Sequence, residues 1–175
     1  MSGSVVRRIA TEHEGTEPVD YIERTRATYD ALGYRAYRWV KNDDQPAWAP
    51  LTKPLSECRV GMTASGGIYR VGQVAFHFQD DTSHRSIPSD TPTDALRATH
   101  FAYDLTDARQ DPNVVFPIDT LRNLRDNKTI GAIADEYQTF MGGIYSGRRV
   151  REELAPAIVA EWVRLEVDVA LLVPA

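Results

Sequence analysis

Residues Val169 to Val173 read Val-Ala-Leu-Leu-Val, an apolar run with no polar side chain to present to water. Strands of that kind belong to parallel sheets covered on both faces, where a period of two is no longer needed. Such sheets need helices, and the rest of the chain carries the pattern for them. After a polar stretch, Pro18 opens a segment in which Tyr21, Ile22, Thr25, Tyr29 and Leu32 recur at helical spacing, with Gly33 as a stop. Pro117 fits the first turn of a second helix, with Ile118, Leu121 and Leu124 on one face. Ser146 is placed to cap the longest helix, where Val150, Leu154, Ile158 and Trp162 recur every four residues; Pro156 predicts a kink or restart within it.

Between these lie strand signals. Cys58 to Ala64 reads as a strand ending in Ser65-Gly66-Gly67, Leu96 to Tyr103 as a short strand with Leu96, Ala98, His100 and Ala102 on one face, and Thr129 to Ala134 as another. Lys41 to Pro54, with its prolines and Asn42-Asp43-Asp44, reads as a surface loop. The order predicts an α/β fold, a doubly wound, mostly parallel sheet in a single domain over 18–175 behind a flexible tail at 1–17. The turns after strands 58–64 and 129–134 are expected to share one crevice.

Composition narrows the function classes. A chain of 175 residues with 42% hydrophobic content can bury one real core. Its net charge of −5 argues against nucleic acid or an anionic membrane surface as the main partner. No run approaches the roughly 18 apolar residues of a membrane span, and the start lacks the apolar core of a signal peptide, so a cytoplasmic protein is expected. Cys58 is the one cysteine, which leaves no disulfide framework. A metal-dependent hydrolase built on His77, His84, His100 and the aspartates lacks zinc-type spacing, and no metal site is expected.

Candidate functional residues follow from the turns. Ser65, Gly66 and Gly67, and likewise Gly142 and Gly143, are placed to offer backbone N–H groups to a carboxylate; the alternative is that these glycines only let the chain turn. Arg85 suits a bidentate grip on that carboxylate. His100 and Asp104, four apart, are candidates for a proton-transfer pair, whereas Asp107 reads as a turn cap and His84 as solvent-facing. Seven aspartates, from Asp80 to Asp111, precede Pro117. They alternate with Ile87, Phe101, Val114, Val115 and Phe116, which predicts an ordered loop pinned to a core.

The stretches LSECRVGMTASGGIY, SHRSIPSDTP, THFAYDLTDARQDPNVVFPIDTLRNL, IGAIADEYQTFMGG and VDVALLVP together resemble the selenoprotein B family of glycine, sarcosine, betaine and D-proline reductases, the D-proline type most of all. That resemblance implies reductive cleavage of a C–N bond beside a carboxylate, with a selenolate or thiolate as nucleophile and thiols as electron donors. It implies a small amino-acid-like substrate and a pyruvoyl group on a partner subunit, with no cofactor in this chain. In relatives the strand matching VDVALLVP is followed by the redox cysteine or selenocysteine and a further β/α portion. The expectation is therefore that the domain lacks its C-terminal β/α portion, through a selenocysteine codon read as a stop, a fragment or frameshift, or a genuinely short subunit. Cys58 opens the first strand at the end away from the crevice and reads as structural. A non-catalytic binding or scaffold subunit that pairs with a partner chain is the rival reading.

Overall fold

A computed structural model describes residues 21–35, 40–47 and 49–175. The chain divides into two compact units, Met1–Pro46 and Ala47–Ala175. In the first, helix α1 spans Tyr21–Ala31 and ends where Gly33 takes a φ of +77°, the left-handed turn glycine adopts without strain. The expected start of this helix at Pro18 and the tail at 1–17 lie outside the described residues. The described part of the Lys41 to Pro54 segment carries no helix or strand.

The second unit is built on β1 (Arg59–Ala64), whose two edges organise the sheet. On one edge it pairs in parallel with β7 (Val169–Val173), from Val60 opposite Val169 to Ala64 opposite Val173. Along the other edge lie β5 (Ala132–Ile133) and then β6 (Glu136–Thr139), end to end and both parallel to β1. Strand β3 (Arg85–Pro88) joins β6 antiparallel. The mostly parallel α/β sheet expected from the sequence is present, with β3 as its exception. A separate pair, β2 (Ile68–Arg70) and β4 (Leu96–Ala98), is antiparallel.

Helices lie against both faces. Successive side chains alternate across a strand, so Tyr137 points to one face and Glu136 and Gln138 to the other. Phe116, just ahead of α3 (Ile118–Asp126; α2 is the short Thr106–Gln110), packs edge-on against Tyr137 with ring centroids 6.1 Å apart. Val60, Met62, Ala64, Ile118 and Leu121 complete that core. On the opposite face Glu136 pairs with Arg164 at the end of the last helix. Val167 there fills the space above Gly61, where an added Cβ would lie 2.8 Å from a Val167 methyl.

That last helical run comprises α4 (Gly147–Arg149), a π-helical turn over Val150–Leu154, and α5 (Ala155–Arg164). Ser146 caps it as expected, its hydroxyl accepting from the Arg149 N–H. The restart predicted at Pro156 is also found: the ring and missing N–H of proline are incompatible with an unbroken α ladder, and the wider turn directly precedes it.

The aspartate-rich segment is ordered because its carboxylates terminate local backbone. Asp81 accepts from the His77 and Ser83 N–H groups, Asp104 from the Thr106 N–H and hydroxyl, and Asp111 from the Asn113 N–H. Arg122 on α3 donates to the carbonyls of Ser89 and Thr91, so the IPSDTP stretch is held from behind by a guanidinium. Of the expected apolar anchors, Ile87, Val115 and Phe116 are buried. Phe101 and Val114 are not, at 47% and 59% exposed, which corrects the expectation for both.

Two further corrections concern strands. The strand expected from Leu96 to Tyr103 stops at Ala98, since its partner β2 is three residues long and the chain turns once the Thr99 N–H has bonded Gly67 O. Strand β6 was not expected at all: Glu-Tyr-Gln-Thr has neither an apolar run nor a regular alternation of apolar and polar residues.

Candidate functional site

Strands β1 and β6 end side by side, with Ala64 opposite Thr139. Just beyond, the Gly67 N–H donates to Phe140 O at 3.0 Å and the Gly142 N–H to Ser65 O at 2.9 Å, joining the two glycine-bearing turns through a Gly66–Met141 bridge. The turn after β6, rather than the one after residues 129–134, therefore shares the crevice with Ser65–Gly67. The correction follows from β5 running directly into β6 along the same edge of β1. A third segment closes over both turns. Thr99 N–H donates to Gly67 O at 2.9 Å and the Tyr103 hydroxyl to Gly66 O at 2.7 Å.

Close backbone approach explains the glycines. Gly67 has φ +67°, and a Cβ there would sit 1.9 Å from Thr99 O. At Gly143 a Cβ would fall 2.1 Å from the Phe101 ring. A Cβ on Gly142 would lie 3.2 Å from Ser65 Cβ and 3.5 Å from His100 Nε2, which places the Ser65 side chain and the His100 imidazole around one point.

His100 is clasped by aromatic rings, stacked with Phe101 at 5.7 Å and tilted against Tyr103 at 4.7 Å between centroids. Its Nδ1 accepts from the Ala102 N–H at 3.0 Å, which assigns the ring proton to Nε2 in the neutral form. That Nε2 is buried and has no hydrogen-bond partner. Burial holds the imidazole pKa below its ordinary value, so His100 is neutral near pH 7. Burial also pushes the Tyr103 phenol up, keeping it a donor to Gly66. Phe101 and Tyr103 were not among the expected site residues, although the spacing His-Phe-Ala-Tyr around a candidate histidine carried the signal.

The other candidates are placed as follows. Asp104 has its carboxylate on Thr106, so the expected His100–Asp104 pair shares no hydrogen bond; the turn after Ala98 sends the two side chains to different partners. Each Arg85 guanidinium nitrogen is engaged locally, with Val74 O, Ala75 O, His84 O and the Ser83 hydroxyl, and the group lies 4.4 Å over the Phe76 ring. No free fork remains for a bidentate carboxylate. The Ser65 N–H bonds Val173 O, and the Ser65 hydroxyl accepts from the Ala175 N–H at 2.9 Å. The Gly143 N–H faces Met141 Sδ at 3.2 Å.

At the opposite, amino end of the strands an open cleft of about 540 Å³ is lined by Lys53, Glu57, Arg59, Glu166 and Asp168. Lys53 and Asp168 pair there at 2.7 Å, each holding the other's charged form. Cys58 lies at this end, fully buried and donating to Pro54 O. The cleft is a weaker candidate than the carboxyl ends, where ligands gather in parallel α/β sheets. Among the described residues no group of three or more His, Cys, Asp or Glu is placed to hold a metal ion, and no helix is long and apolar enough to cross a membrane.

The segments that meet at the carboxyl ends lie inside one stretch of family likeness. The family model for glycine/sarcosine/betaine reductase selenoprotein B matches residues 36–174. The chain belongs to that selenoprotein B family. D-proline reductase subunit gamma of Acetoanaerobium sticklandii is 31% identical over 140 residues, covering 80% of this chain and 58% of the relative. Two glycine reductase complex component B gamma subunits are more distant, at 26% identity in Symbiobacterium thermophilum and 28% in Carboxydothermus hydrogenoformans, each over 70% of this chain. This selenoprotein B family chain thus spans 58% of the first of these relatives and 30% and 29% of the other two. No solved structure matches it significantly.

Proposed function

We propose that the chain forms the substrate-facing α/β unit of an amino-acid reductase component. The observation that carries this reading is the convergence of three family segments, Ser65–Gly67, His100–Tyr103 and Phe140–Gly143, around one unpartnered imidazole nitrogen at the carboxyl ends of β1 and β6. The reaction is reductive cleavage of a C–N bond next to a carboxylate. The carbon–nitrogen bond breaks, and two electrons and two protons from a thiol donor appear as one new C–H and one new N–H bond.

Within that reaction Phe101 and Tyr103 exclude water from the crevice and hold the His100 ring. His100, neutral near pH 7, exchanges a proton at Nε2 with the departing nitrogen. A pyruvoyl group on a partner subunit would carry the substrate amine and make that nitrogen a better leaving group. The redox nucleophile comes from outside the described residues, because Cys58 is buried at the far end of β1. The reading places the protein in the cytoplasm, where thiol donors are abundant.

A binding subunit without chemistry of its own is the second reading. It is favoured by the engaged backbone donors of the turns and by β7, which has β1 as its one neighbour among the described residues. The test is to purify the complex from its host and supply glycine, sarcosine, betaine and D-proline in turn with dithiothreitol. Dithiol-dependent cleavage of one of them, followed by mass spectrometry, is expected. A complex that binds a substrate but releases no product would favour the binding subunit.

A further inference from the structure

The turns above β1 and β6 have few donors left for a ligand, since the Ser65, Gly67 and Gly142 N–H groups already bond protein carbonyls. Unengaged hydrogen-bonding groups lie one step deeper. Thr63 on β1 and Gln138 on β6 are directly opposite in register and share the sheet face that carries Glu136. They are 3% and 0% exposed, yet Thr63 Oγ1 and both Gln138 side-chain atoms have no partner. Trp162, on the inward face of α5 four residues after buried Ile158, adds an indole N–H that is likewise buried and unpaired. Tyr137 and Thr139 alternate with Gln138 and point to the other face, so they do not belong to this group.

Burying an amide and a hydroxyl unpaired costs about 1–3 kcal/mol each, and valine or methionine would fill the same space without that penalty. We propose that Thr63 and Gln138 form the floor of a carboxylate-binding well under the two turns, an inference that rests on the amino-acid reductase reading above. A carboxylate only accepts hydrogen bonds, and the Thr63 hydroxyl and Gln138 Nε2 are donors. Gln138 Oε1 remains for an N–H donor. The well holds the carboxylate end of a small amino acid, and His100 Nε2 is a further unpaired group, beside Gly142 in the turn above β6. It is closed in this structure, so occupation requires the helical run from Gly147 to shift, and the π turn at Val150–Leu154 is a register defect that such a shift can use.

The test uses the complex as purified, with acetate and glycine as probes in calorimetric titrations. Thr63→Val with Gln138→Met keeps shape and removes the polar atoms; it is expected to leave the urea midpoint unchanged or raised while weakening both probes about tenfold or more. Thr63→Ser, which restores the hydroxyl, is expected to bind within about threefold of the native protein. Unchanged affinity in the double variant overturns the well, as does absence of probe binding in the native complex. Turnover of an amino acid with the same KM in native and double-variant complexes overturns the well but leaves the reductase reading standing. Loss of acetate binding in the double variant of a complex that turns over no amino acid supports the well and removes the reductase reading.

Discussion

The Tyr103 hydroxyl donates to the Gly66 carbonyl at 2.7 Å, tying the aromatic segment around His100 to the turn that ends β1. The bond is partly buried, and the phenol stays protonated because burial raises its pKa. Tyr103→Phe removes the hydroxyl and leaves the ring on His100. The expected loss is about 1 kcal/mol of stability by urea unfolding, with the aromatic packing retained. A midpoint equal to that of the native protein would show that this bond does not hold the segment.

Arg122 grips the IPSDTP stretch through a planar fork, donating to Ser89 O from Nε and Nη2 and to Thr91 O from Nη2. Lysine cannot reproduce that geometry. Arg122→Lys is therefore expected to cost about 2 kcal/mol and to expose residues 88–92 to proteolysis, read by denaturation and limited digestion. Native-like resistance would contradict the role.

Gly67 cannot become alanine without moving backbone, since both its φ of +67° and the Thr99 carbonyl stand in the way. Gly67→Ala is expected to destabilise by on the order of 3 kcal/mol. Gly72 also has positive φ, at +94°, but with open space around it, so Gly72→Ala should cost about 1 kcal/mol. Equal effects at the two sites would remove the close approach as the cause.

Burial lowers the folded-state pKa of His100 below its unfolded value, so the unfolded chain binds the extra proton in the interval between the two. Stability is then full above the ordinary imidazole range of about 6.5 and falls as pH drops through it, levelling off below the folded value. His100→Asn keeps an acceptor for the Ala102 N–H and removes the titration. Its unfolding free energy should vary less between about pH 7 and 5 than that of the native chain. Parallel curves would show that His100 is not the titrating group.

Much of this arrangement is legible in the sequence where apolar patterning is strong. Val169 to Val173 and the Cys58 to Ala64 stretch announce β7 and β1, and Ser146 and Pro156 mark the cap and the break of the last helix. Patterning is blind to β6, because Gln138 and Thr139 are buried polar residues in a strand and look like loop. Missing that strand moved the expected crevice to the wrong turn. The same blindness hid the partners of Arg85 and Asp104: side chains that bond nearby backbone leave no periodic trace, and only the folded chain distinguishes a staple or a cap from a ligand-binding group.

Hydrogen–deuterium exchange of the purified complex, with and without its amino-acid substrate, tests the central claim that ligand binds at the carboxyl ends of β1 and β6. The account predicts slower exchange on substrate addition in peptides covering Thr63–Gly67, Thr99–Tyr103 and Gln138–Gly143. Protection confined to Lys53–Arg59 and Glu166–Asp168, around the cleft at the amino ends, would contradict it.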